Sequence, residues 1–107
     1  MNDAASREAT LQAYQTLVAE FLSQLTGVRN LSSRTVKAYE GDLEQFGLWC
    51  KREGINPLSV SHRQLRGYLA ELTRAQYSER TVNRRLSALR SFFAWLVREG
   101  KSTEDVA

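Results

Sequence analysis

A chain of 107 residues with 42% hydrophobic residues, 25% charged residues and a net charge of +3 has the make-up of one ordinary globular domain, which excludes wholesale disorder and a fibrous protein. Positive charge gathers in the second half: Met1 to Val60 holds six Lys and Arg against seven Asp and Glu, whereas Ser61 to Ala107 holds nine against five. The one cysteine excludes an internal disulfide, and no stretch has the length or hydropathy of a leader or a bilayer span, so the expectation is a soluble, cytoplasmic protein without membrane association.

In chain order, residues 1–9 read as a flexible N-terminus. The first helix is predicted from about Thr10 to Leu25, because Leu11, Tyr14, Val18, Phe21, Leu22 and Leu25 fall at the three- and four-residue spacing of one helical face, and Gly27 ends it. The second runs from Ser32, a good N-cap, to Glu53, with Val36, Tyr39, Leu43, Phe46 and Cys50 as its buried stripe and Gly54 as its stop. After the Asn56-Pro57 turn, Ser61 and Gln64 have capping-box spacing, and Leu65, Tyr68, Leu69 and Leu72 form the apolar face of a shorter third helix. The fourth starts at Ser78, buries Val82, Leu86, Leu89, Phe93 and Leu96, and stops at Gly100. No strand-like alternation competes, so the predicted class is all-α: a compact four-helix bundle with short loops.

Laying Leu31–Gly54 over Tyr77–Gly100 pairs identical residues at ten of twenty-four positions. Shared amphipathic period explains the apolar matches but not the common Ser-x-Arg-Thr-Val opening, so the second and fourth helices read as two versions of one device. On a helical wheel of the fourth, the side opposite Val82 carries Arg80, Arg84, Ser87 and Ser91. Asn83 and Arg90 lie on one shoulder, and Thr81, Arg85 and Ala88 on the other. No carboxylate lies between Arg80 and Arg98, and arginines without acidic neighbours suit phosphate contacts and bidentate readout of guanine edges. Small Ser87 and Ala88 would let the backbone approach a groove. The second helix offers Arg34, Thr35, Lys37 and Ala38 near its start, whereas Glu40, Asp42 and Glu44 make its far end less inviting.

Other conspicuous residues have plainer readings. His62 is a solvent-facing imidazole at a helix start, Cys50 a small buried hydrophobe, and Trp49 and Trp95 are core anchors. No phosphate loop, zinc-ligand spacing or catalytic constellation is present, which argues against an enzyme, a metal or a cofactor. A helical protein-interaction module with an incidental basic face is the alternative function class.

The segments LSSRTVKAYEGDLEQFGLW, from Leu31 to Trp49, and SERTVNRRLSALRSFFAWLVREG, from Ser78 to Gly100, make the chain similar to the N-terminal core-binding, SAM-like domain of tyrosine site-specific recombinases of the XerC/XerD kind. The resemblance spans about Leu17 to Gly100 and implies a DNA-binding domain over residues 10–100, with 101–107 beginning a linker to a separate catalytic domain. It implies double-stranded recombination-site DNA and other recombinase protomers as partners, with the isolated domain a monomer. By position it carries DNA contact to Thr35, Lys37, Arg80, Thr81, Arg84 and Arg85, and an interface role to Leu17–Leu25. His62-Arg63-Gln64-Leu65 does not reproduce the family's catalytic His-x-x-Arg, and none of Tyr14, Tyr39, Tyr68 or Tyr77 stands where the family's nucleophile does.

Overall fold

The computed structural model describes residues 3–101. It contains four α-helices: α1 (Asp3–Gly27), α2 (Ser33–Glu53), α3 (His62–Arg74) and α4 (Glu79–Arg98). The all-α expectation with short connections holds, and no strand occurs among the described residues. The helices pair as two compact units, α1 with α2 and α3 with α4.

Helix α1 buries all six residues of the predicted stripe, from Leu11 to Leu25. It begins earlier than the stripe predicts: residues 3–9, read from sequence as a flexible lead, are helical. Apolar periodicity has no signal in this stretch, because local hydrogen bonds and an inter-helix ion pair, not burial, support it. Thr10 donates to the Ser6 carbonyl at 2.9 Å, and Glu8 accepts from Lys51 Nζ of α2 at 2.6 Å. The helix ends at Gly27 as expected, but the left-handed residue that redirects the chain is Asn30, at φ 54°. Asparagine tolerates that region because its short amide bonds locally.

Tyr14 locks α1 to α2. Its hydroxyl donates to the Leu43 carbonyl at 2.6 Å, and its ring lies against Gly47, where an added Cβ would come within 2.7 Å of Tyr14 Cε2. Phe46 completes the packing, its ring centroid 6.5 Å from that of Tyr14. Cys50 is wholly buried on the same helix, and burial pushes its thiol up to about 12, as expected of a core hydrophobe and not of a nucleophile.

Local chemistry sets both ends of the later helices. Ser32, Ser61 and Ser78 are extended N-caps whose hydroxyls accept from the backbone N–H groups of Thr35, Gln64 and Thr81. At α3 the cap is reciprocal, with the Ser61 N–H donating to Gln64 Oε1 at 2.9 Å. All three end in Schellman closures, with Ile55 N–H donating to Cys50 O, Tyr77 N–H to Leu72 O and Lys101 N–H to Leu96 O. The residue in the left-handed region is Gly54, Gln76 and Gly100 respectively. Between α2 and α3, Asn56 Oδ1 accepts from the Leu58 N–H, forming the expected turn at Pro57.

Two glycines of α2 should respond oppositely to the same change. Gly47→Ala should lose about 1–3 kcal/mol in urea unfolding by overpacking against the Tyr14 ring. Gly41→Ala meets open space and should gain about 0.5–1 kcal/mol.

Candidate nucleic-acid interface

The repeated sequence of α2 and α4 resolves into two kinds of matched position. Most have an internal structural role. Ser32 and Ser78 are the caps, and each donates to the Thr35 or Thr81 hydroxyl at 3.0 Å. Leu43 and Leu89, Phe46 and Phe92, and Trp49 and Trp95 are buried. The aromatic pairs have nearly the same geometry, with Phe46 and Trp49 stacked at 6.1 Å and Phe92 and Trp95 at 6.2 Å. Both tryptophans are therefore core anchors, as their positions suggested. Neither helix start nor core accounts for Arg34 and Arg80, which are exposed in both copies.

The buried arc of α4 is broader than its predicted stripe. Ala88, Leu89, Phe92, Phe93, Trp95 and Leu96 are all buried, while Val82 and Leu86 are half-buried. This corrects the expected outward shoulder. Ala88 is wholly buried and cannot ease approach to a groove, because that flank is continuous with Phe92 and Trp95. Arg85, on the same flank, is half-buried: its guanidinium carbon lies 4.6 Å from the Tyr77 ring centroid, and Nη1 donates to the Tyr68 hydroxyl at 3.3 Å. Its first role is to join α4 to α3 and the turn between them.

What α4 leaves exposed is an arc of Arg80, Asn83, Arg84, Ser87, Arg90 and Arg98, edged by Glu79 and Val97, with Ser91 half-buried beside it. Arg98 was not among the expected site residues, although it lies five whole turns from Arg80 and so at the same angular position. Thr81 is half-buried and engaged in its cap.

In the other unit, α2 exposes Arg34 and Lys37, with Thr35 and Ala38 half-buried and Thr35 bonded to its cap serine. Along the same side lie Gly41, Gln45, Leu48 and Arg52, all exposed. The expected acidic far end is only partly right: Glu40 and Glu44 are exposed, but Asp42 is 4% exposed and belongs to the interior. His62 is exposed at the start of α3, as its position suggested. No helix among the described residues is long and apolar enough to cross a membrane, and no group of three or more His, Cys, Asp or Glu side chains among them could hold a metal ion.

Residues 18–100 match the family described as phage integrase, N-terminal SAM-like domain. The chain belongs to this family. It is 39% identical over 90 residues to a tyrosine recombinase XerC of Listeria innocua, a match covering 83% of this chain and 30% of the relative. A tyrosine recombinase XerC of Azotobacter vinelandii is 38% identical over 81% of this chain and 29% of its own length. A tyrosine recombinase XerD of Listeria monocytogenes is 35% identical over 83% of this chain and 31% of its own length. The chain thus spans about three tenths of these relatives and corresponds to their N-terminal SAM-like domain. No solved structure matches it.

Within this SAM-like domain, Arg85 and Arg90 separate packing from surface charge. Arg85→Ala should lower stability by about 0.5–1 kcal/mol, because the guanidinium no longer lies over the Tyr77 ring. Arg90→Ala should leave the thermal midpoint unchanged, and differential scanning fluorimetry of the two variants tests the contrast.

Proposed function

We propose that this SAM-like domain binds duplex DNA as the N-terminal part of a site-specific tyrosine recombinase, clamping one half of a recombination site. The observation that carries the reading is the exposed arc of α4: Arg80, Arg84, Arg90 and Arg98 share a helix surface with Asn83 and Ser87, and no carboxylate lies between Arg80 and Arg98. Four guanidiniums along one helix surface, with Glu79 and Glu99 at its two ends, form a footprint for phosphates. Arginine and asparagine are also the side chains that pair bidentately with guanine and adenine edges. Arg34 and Lys37 of α2 supply further cationic groups. Family membership supports the assignment, because the relatives matched are named as tyrosine recombinases.

On this reading phosphate contacts provide most of the affinity, and α4 contributes part of the base readout. Thr35 and Thr81 act through their caps, fixing the helix starts on which Arg34 and Arg80 are mounted. Arg85 braces α4 through Tyr68 and Tyr77, so its exposed side sets how α4 meets the groove. Strand cutting and rejoining, and with them DNA integration or the resolution of chromosome dimers at partition, fall to a catalytic domain elsewhere in the parent recombinase. Association with other protomers arises in the full assembly, and the domain alone is a monomer.

Fluorescence anisotropy with a recombination half-site and a scrambled duplex tests this. Arg80→Ala with Arg84→Ala should weaken half-site binding and reduce the salt slope by about two, at about 0.9 for each phosphate that is no longer neutralised. Wild-type binding with no preference for the half-site would refute the readout role of α4. Unchanged affinity in a folded double variant would remove α4 from the interface.

A further inference from the structure

The domain has a second basic surface that neither the repeat nor the expected site includes. On α3, Leu65, Tyr68 and Leu72 are buried, and the side opposite them carries Arg63, Arg66, Gly67, Ala70 and Arg74, all exposed. Glu71, half-buried on a shoulder, is the one carboxylate of the helix. We infer that this outward face of α3 is a second contact surface for the DNA backbone, an inference that rests on the duplex-binding reading above.

Four observations support it. Arg63 sits in the first turn of α3, which has no acidic residue, so the helix dipole opposes its charge and helix stability does not explain it. Gly67 is a mid-helix glycine with nothing within 4 Å of where its Cβ would be, so neither backbone conformation nor packing requires it. With Ala70 it leaves a low stretch between the arginines, over which a sugar-phosphate strand can pass close to the helix.

The spacing suits the same ligand. Arg63 and Arg66 come before the low stretch of Gly67 and Ala70 and Arg74 comes after it, so guanidiniums flank on both sides a strand that crosses there. No large apolar residue lies on this face to anchor a protein partner or to insert into a lipid surface. Charge without apolar anchorage selects the nucleic-acid backbone.

The test compares the wild-type chain with three variants: Arg63→Gln/Arg66→Gln/Arg74→Gln, Gly67→Gln, and Arg80→Ala/Arg84→Ala. Each is titrated with a fluorescein-labelled mixed-sequence duplex over a salt series and, separately, with phosphatidylserine vesicles. The triple α3 variant should bind the duplex at least about tenfold more weakly at low salt, with the salt slope reduced by about 2.7 if each of the three arginines neutralises one phosphate. Gly67→Gln should raise the melting temperature, since glutamine favours helix and meets open space, yet weaken duplex binding several-fold. Retention of the wild-type slope by the α3 variant, while the α4 variant loses affinity, would overturn the α3 surface and leave the α4 reading standing. Loss of vesicle binding alone would reassign the face to lipid and overturn it too. A wild-type chain that does not bind the duplex would overturn both readings.

Discussion

How much of α4 can meet a ligand is decided by how much of it is taken into the interior. Ala88, Leu89, Phe92, Phe93, Trp95 and Leu96 are withdrawn from water on one broad flank, and removing that apolar area from solvent is the dominant favourable contribution to folding. The polar residues are consequently crowded into the remaining arc. A run of arginine there raises the local positive potential.

The same flank changes the meaning of individual residues. Arg85 belongs by composition with Arg84 and Arg90, yet its guanidinium lies over Tyr77 and bonds to Tyr68, so it acts as packing material with a charge at its tip. The repeat between α2 and α4 divides in a similar way. Its serine, threonine, leucine, phenylalanine, tryptophan and glycine matches specify where a helix begins, what it buries and where it stops. Arg34 and Arg80 remain as the matched residues nearest the helix starts without such an internal task. A shared structural frame has been given a shared cationic attachment point.

Much of this was legible in the sequence, because its signals are local. The six-residue stripe of α1, the three serine caps, the capping box at Ser61 and the stops at Gly54 and Gly100 all depend on residues within a turn or two of one another. What escaped depends on non-local packing. A wheel centred on Val82 assumes a narrow apolar stripe and places Ala88 outward, whereas α4 buries a much wider arc. Nor does hydrophobic pattern show that residues 3–9 extend α1, since ion pairing and side-chain hydrogen bonds support that stretch. The α3 arginines were visible as letters. They lay outside the repeat, and nothing in the pattern of two matched helices directed attention to a third.

The closures at both ends of α2, α3 and α4 have a consequence for how such a domain diversifies. Each helix carries its own start and stop in a few groups that bond within its own terminal turns. Residues on the outward arc can therefore be exchanged without shifting the phase of the helix beneath them. A lineage can alter the outward surface while inheriting the mounting unchanged, so a new surface arises by substitution and needs no remodelling of the scaffold.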